Sequence, residues 1–307
     1  MGCDFPITAY RSREFNPETK RYGMTFNPLK ALNSTNSIRV PCGKCQGCRL
    51  ERSRQWAVRC THEASLHDQN CFITLTYADP HLPIDYSVHT RDFQLFMKRL
   101  RKHAYPKLVR FFACGEYGDQ NLRPHYHALL FGFDFEHKVV FETTGQGHKL
   151  YLSKDAQALW PFGMVTVGEL SYQSASYTAR YAMKKISGPM AETHYVRQHP
   201  LHGFFCRVQP EFLLMSRGGR DGSGGIGQAW IKKHGPEVFT HDSVIIQGRE
   251  AQPPRYYFKQ LSEEDQHRIT TKRQIAAKRN LRPRTFNAEM AHAETRDAKI
   301  STLKRKL

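Results

Sequence analysis

The chain has 307 residues, 39% of them hydrophobic, and a formal net charge of +18, with a sequence pI near 9.7. That apolar content supports a buried core and excludes a wholly disordered chain, while the charge points to polyanionic partners, nucleic acid or an acidic surface. No run of ~18 apolar residues is present, so no membrane span is expected; the opening "MGCDFPITAYR" has no apolar signal core, and eight cysteines in such a chain suggest a reducing compartment where thiols bind metal or are buried.

Residues 1–45 read as irregular and polar. From Gln46 to about His67 the pattern is that of a basic helix, with Leu50, Trp56 and Cys60 among its apolar positions. "CFITLTY" (71–77) is strand-like, rich in aromatic and β-branched types. Residues 91–104 form an amphipathic helix with Phe93, Leu95, Phe96 and Leu100 inward, broken at Pro106. "KLVRFFACGE" (107–116) is a second strand, "YGDQNLRP" a turn, and the stretch from His125 to Gly132 a third strand that should pair antiparallel with the second. A short helix over 155–160, a strand over 163–170 and a helix over 171–186 follow. Residues 187–235 are loop-rich, 241–248 suggest a late strand, and "SEED" (262–265) suggests a helix start after core-forming residues thin out beyond Arg255. The order implies an α+β fold, an antiparallel sheet with its flanking helices on one side. Composition divides the chain into a Cys-rich arm with a basic helix (1–68), a main domain (69–250) and a basic tail, helical or disordered (251–307).

Three features carry chemistry. In "RPHYHALLFG" (123–132), His125 and His127 alternate with Tyr126, so along a strand both imidazoles point to one face, roughly 7 Å apart. Glu116 ends the neighbouring strand, where it can lie beside them, with Asp119 competing for the role. One carboxylate and two imidazoles suit a divalent cation that must also bind substrate: zinc, manganese and magnesium all qualify, and a phosphate substrate favours magnesium or manganese. On the helix over 171–186, Tyr177 and Tyr181 are i, i+4 and Lys184 continues their stripe, opposite an apolar stripe of Ala175, Ala179, Ala182, Met183 and Ile186. A tyrosine hydroxyl beside a metal-bound phosphodiester is one way to cut DNA and keep the bond energy as an ester. Finally, Cys42, Cys45 and Cys48 form a tight Cys-x2-Cys-x2-Cys run. It supplies three thiolates to a zinc ion; Cys3 is the first choice of fourth ligand, Cys60 or His62 the alternatives, and an iron–sulfur cluster the alternative occupant. "GSGGIG" (222–227) matches a dinucleotide fingerprint but lacks the preceding strand that such a site needs, so it reads as a flexible basic loop.

"FITLTY", "GEYG…RPHYH" and "YTARYAMKK", in that order, resemble the three motifs of HUH endonucleases. With "CGKCQGC" and "WAVRC" upstream, the pattern over roughly 40–190 is similar to the rolling-circle replication initiators of gokushovirus-type (Microviridae) single-stranded DNA phages. The resemblance implies a ferredoxin/RRM-like core, Glu116, His125 and His127 as ligands of magnesium or manganese, Tyr177 and Tyr181 as nucleophiles and Lys184 as their helper. Arg180 stands before Tyr181 where such motifs commonly carry lysine. It also implies single-stranded origin DNA as substrate, a 5′-phosphotyrosine link, host helicase and polymerase as partners, and the cytoplasm of a bacterial host as the setting. A non-catalytic, zinc-containing DNA-binding or packaging module is the competing reading, and would not need the Glu/His/His set or the tyrosines. A histidine-triad hydrolase would want a third alternating histidine where Leu129 stands.

Overall fold

The computed structural model describes residues 2–18, 21–119, 121–145, 147–180, 185–186, 188–218, 224–279 and 285–301. The chain divides into two compact units, Met1–Arg52 with Leu281–Lys304, and Ser53–Asn280 with Arg305–Leu307. In chain order the first elements are β1 (Ile7–Asn16), β2 (Arg21–Thr25), β3 (Ser37–Val40), α1 (Gln46–Ala64), β4 (Asn70–Thr76), α2 (Thr90–Ala104), β5 (Arg110–Tyr117) and β6 (Pro124–Phe131). They are followed by β7 (Val139–Thr143), β8 (Lys149–Leu152), α3 (Lys154–Leu159), β9 (Val165–Gly168), α4 (Tyr172–Arg180), α5 (Met190–His194), β10 (Val196–Gln198), β11 (Phe205–Arg207) and β12 (Phe212–Met215). The last are α6 (Gln228–His241), β13 (Val244–Ile246), β14 (Arg249–Ala251), α7 (Arg255–Phe258), α8 (Glu263–Arg279) and α9 (Phe286–Ser301). No helix among the described residues is long and apolar enough to cross a membrane.

The larger unit is built on a seven-stranded sheet of order β12-β5-β6-β4-β9-β8-β7, antiparallel at every pairing. The α+β architecture with an antiparallel sheet and flanking helices is therefore present, but the helices lie on both faces, not one. The reason is that the central strands are apolar on both sides. Cys71, Ile73 and Leu75 of β4, with Tyr126, Ala128 and Leu130 of β6, pack under α2 and α3. Their alternates Phe72, Leu129 and Phe131 pack with Ala57 and Cys60 of α1 and Ala175 and Ala179 of α4. On α2 the buried positions are Phe93, Phe96, Met97, Leu100 and Ala104, a helical stripe; Met97 takes the place expected of Leu95, which is half-buried. Asp92 in its first turn and Arg101, Lys102 and His103 in its last complement the helix dipole. Each fully buried Phe or Leu contributes roughly 1.5–3 kcal/mol.

Three sequence expectations fail here. The stretch 1–45 is not irregular: β2-β1-β3 form an antiparallel sheet in the smaller unit. The stretch 187–235 holds β12, which pairs with β5, and most of α6. Nor is the described part of "GSGGIG" a loose loop. Gly227 caps α6 at φ +77°, where a Cβ would lie 2.6 Å from the Tyr257 hydroxyl. Its N–H donates to Glu63 (2.7 Å), the Ile226 carbonyl accepts from Arg59 (2.9 Å), and the Gly224 carbonyl accepts from Arg110 (2.9 Å). Ile226 itself is buried in the core.

A third apolar cluster joins Val58 of α1 to Ile231, Val238 and Phe239 of α6, Val244, Tyr257 and Ile269. Beside it His62 stacks on Trp230 at 3.5 Å and meets the Tyr257 hydroxyl at 3.0 Å. Burial, and then the nearby His234, lower the His62 pKa from 6.5 to about 4. The fold thus holds this ring neutral, and its contribution is fully present above the unfolded value and lost as pH falls towards the folded one. Stability should drop by about 3 kcal/mol between pH 6.5 and pH 4 from this group alone. Denaturant titrations across that range test it: the drop should shrink in His62→Phe, and an unchanged pH slope in the variant would assign the acid sensitivity elsewhere.

Candidate functional site

The pairing of β5 with β6 sets Glu116 opposite His125 and Cys114 opposite His127, and the pairing of β4 with β6 sets Thr76 and Thr74 opposite the same two histidines. Alternation sends Tyr126 to the other face, where its hydroxyl bonds Tyr77 and both backbone groups of His89. The imidazoles face the α1/α4 side and converge on Glu116: His125 Nε2 lies 2.9 Å and His127 Nε2 3.0 Å from the same oxygen, Oε1. The three candidate ligand atoms fall within 4.8 Å of one another. Glu116 is 1% exposed and His127 5%, whereas His125 is half-buried, so the cluster is closed behind and open at its His125 side. Burial alone would raise the Glu116 pKa, but hydrogen bonds and charge from His125 and His127 outweigh it and hold the carboxyl at about 2.

The hydrogen bonding beneath the histidines defines what they offer. His125 Nδ1 lies 2.9 Å from the Arg123 carbonyl. A carbonyl only accepts, so Nδ1 carries the proton and, in the neutral ring, the Nε2 lone pair faces Glu116. Either a proton on Nε2 or a bound cation can bridge that nitrogen and the carboxylate. His127 Nδ1 meets the Thr74 hydroxyl, a group that can donate or accept, at 2.9 Å, which orients that ring. Adjacent ligands of an octahedral ion with bonds of ~2.1 Å lie ~3.0 Å apart, so these residues fit a divalent cation. Arg123 secures the turn entering β6, donating to the Tyr77 carbonyl and to Asp79 (2.6 Å). Asp119, the competing carboxylate, is exposed in the preceding turn and outside the cluster.

α4 lies over this face. Ala175 and Ala179 bury its packing stripe, and Tyr177 projects its ring against His127, centroids 5.1 Å apart and nearly perpendicular, with Phe72 at 6.4 Å on the same side. Arg180 sits over the Tyr177 ring at 5.8 Å, a cation next to this phenol that the motif reading left without a role. Tyr172 packs half-buried between two apolar clusters. Tyr181 and Lys184 lie outside the described residues. Sequence reasoning also missed Arg59, sandwiched at 4.0 Å over Trp56 and 3.7 Å over Tyr256; the Trp56/Arg59 spacing of i, i+3 on a helix is the signal that could have found half of it.

The smaller unit holds a second cluster. The sulfurs of Cys3, Cys42, Cys45 and Cys48 lie within 4.8 Å of one another, with Cys3 and Cys45 at 3.7 Å, far beyond a disulfide bond. Sulfurs of a tetrahedral site with ~2.3 Å bonds are ~3.8 Å apart, so four thiolates here fit one ion. Backbone N–H groups point at them: Asp4 to Cys45, Cys42 to Cys3 and Cys45 to Cys42, at 3.2–3.3 Å. At Cys42 burial opposes ionisation, but the N–H groups of Cys45 and Lys44 prevail and bring the thiol to about 6; burial and the neighbouring thiols push Cys48 up to about 12. Of the alternatives for a fourth ligand, Cys60 is in the apolar core and His62 in the Trp230 stack. Both clusters are potential metal sites.

A family model described as replication-associated protein ORF2/G2P matches residues 70–186, a span that contains Glu116, both histidines and the tyrosine helix. The chain is 33% identical over 242 residues to replication-associated protein VP4 of Bdellovibrio phage phiMH2K, covering 76% of this chain and 71% of that one. It is 30% identical over 296 residues to replication-associated protein ORF2 of Spiroplasma virus 4, covering 91% and 85% respectively. A shorter match, 36% identical over 156 residues, covers 48% of this chain and 39% of replication-associated protein ORF4 of Chlamydia phage 1. No solved structure matches. With relatives matched over most of their length and the family model lying across the Glu/His/His strands and the tyrosine helix, the chain belongs to the phage replication-associated proteins of the ORF2/G2P family.

Proposed function

We propose that this protein is an HUH-type replication initiator that nicks single-stranded origin DNA of a gokushovirus-type phage in its bacterial host cytoplasm. The observation that carries the reading is the convergence of His125, His127 and Glu116 on one sheet face with the Tyr177 ring packed against His127. A magnesium or manganese ion, when bound, would polarise the scissile phosphate. Glu116, His125 and His127 are its ligands, oriented by Thr74 and by the Arg123 carbonyl. The phenol oxygen of Tyr177 or Tyr181 forms a bond to phosphorus, the P–O3′ bond breaks, the phenolic proton is released and the departing 3′ oxygen takes one up. The 5′ end stays on the enzyme as a phosphotyrosine ester, so reversal by a free 3′ hydroxyl needs no outside energy source. Lys184, with Arg180 beside Tyr177, neutralises charge developing on the phosphate. Zinc held by Cys3, Cys42, Cys45 and Cys48 is structural. Host helicase and polymerase extend the freed 3′ end.

Two tyrosines four positions apart in the sequence permit alternating attack. Tyr177→Phe and Tyr181→Phe should each still cleave once, yet fail at repeated release of circles. Gel assays of single and multiple turnover separate the cases: Tyr177→Phe behaving as wild type over many rounds would make Tyr181 the sole nucleophile.

A further inference from the structure

The β10–β11 hairpin is an aromatic, cationic surface that the nicking site does not use. Val196 pairs with Arg207, Arg197 with Cys206 and Gln198 with Phe205. Alternation therefore gives the hairpin two unlike faces. Arg197 and Cys206 turn inward, Arg197 over the Tyr117 ring at 4.3 Å and Cys206 against the main core. Val196, Gln198, Phe205 and Arg207 share the other face, where Phe205 is 74% exposed. At the tip, His202 lies parallel to Phe204, and Leu201 and Phe204 are also exposed.

The tip is preorganised. His199 is buried and its Nδ1 accepts from the Leu201 and His202 N–H groups; its own N–H donates to the Phe204 carbonyl at 2.7 Å. The base is rooted on the sheet face opposite the Glu/His/His cluster. Tyr117 follows Glu116 in β5, so its ring points away from that cluster into the main core, and the Tyr195 hydroxyl accepts from the Ile186 N–H and donates to Glu211 at 2.6 Å. Between Thr193 and Pro210 there is no Asp or Glu, against Arg197, Arg207 and three histidines. A rigid, exposed ring flanked by arginine, on a segment free of acids, complements an extended strand whose bases stack while its phosphates take the charge.

We propose that the exposed face of this hairpin is a stacking platform for single-stranded DNA outside the nicking face of the sheet, an inference that rests on the nicking reading. Fluorescence anisotropy with a dT homopolymer, without divalent metal, tests it on the full chain. Phe205→Ala should weaken binding by about tenfold and Phe205→Trp should retain it; Arg207→Gln should lower the salt slope by about 0.7. A strand carrying halogenated uracil should photocrosslink on wild-type protein to the peptide containing Phe204 and Phe205, a readout independent of how the variants fold. Wild-type affinity in Phe205→Ala with no crosslink there overturns the platform, as does loss of self-association in place of DNA binding, which would make the face a protein interface. Covalent DNA adduct formation by wild-type protein reports separately on nicking, so a platform without nicking, or nicking without a platform, would each be visible.

Discussion

Replacing His127 by alanine is expected to reduce nicking of single-stranded DNA by at least about a thousandfold at limiting manganese. His127 Nε2 is 3.0 Å from the Glu116 oxygen that His125 also approaches, in a pocket where Glu116 is almost fully enclosed. Removing one of three ligands leaves a buried carboxylate and a single imidazole, too few to hold a hard cation that keeps positions for substrate. Glu116→Gln and His125→Ala should act in the same direction. Thr74→Val should be milder, lowering manganese affinity by about 10–100-fold through loss of the bond to His127 Nδ1, and Thr74→Ser should restore it. Binding of DNA should persist in all of them, because phosphate contacts elsewhere supply affinity. Full nicking by His127→Ala at limiting metal would remove this cluster from the chemistry.

Cys45→Ser, or a strong chelator, is expected to unfold the smaller unit. Its described residues bury only two apolar side chains, Ala9 and Ala31. A three-stranded sheet with so little core is not self-supporting, and units of this kind depend on a staple. In the proposed reading, zinc on the four sulfurs is that staple: binding free energy of a structural zinc site, ~10–16 kcal/mol, is folding free energy. Around the cluster, Asp4 accepts from the Gly47 N–H at 2.9 Å and pairs with Arg296 of α9, and Arg39 pairs with Glu289 at 2.8 Å. Losing the ion should therefore release β1–β3 and α9 together. Elemental analysis should find about one zinc per chain, absent in Cys45→Ser, and proteolysis should cut both segments once it is gone. Metal-free protein with an intact, protease-resistant unit would refute the role.

The candidate catalytic cluster was legible because its residues are local. A short turn between two strands fixes an antiparallel register, and from that register the distance between Glu116 and the His-x-His pair follows. Tyr177 was legible from helical spacing, since Ala175 and Ala179 mark the buried stripe. What escaped lacked a periodic signal. β1 buries Ala9 and Ser12 and otherwise lies open, so it shows no apolar alternation to read. β12 is four half-buried residues recruited to an edge by β5, a pairing set by tertiary structure. The anchoring of Gly224–Gly227 depends on Arg59, Glu63 and Arg110, more than a hundred positions away. Beyond Arg255 the sparse apolar residues hid Tyr257 and Ile269, which are buried in a cluster with Val58 of α1 and Ile231, Val238 and Phe239 of α6, all distant from them in sequence.

The central claim is that a tyrosine on the helix facing His125, His127 and Glu116 becomes joined to DNA. Incubating the protein with manganese and circular single-stranded DNA, digesting the trapped complex and mapping the DNA-linked peptide by mass spectrometry tests it directly. The account predicts an adduct on Tyr177 or Tyr181 and none in the Tyr177→Phe/Tyr181→Phe double variant. An adduct on Tyr172, or one that persists in the double variant, would contradict it.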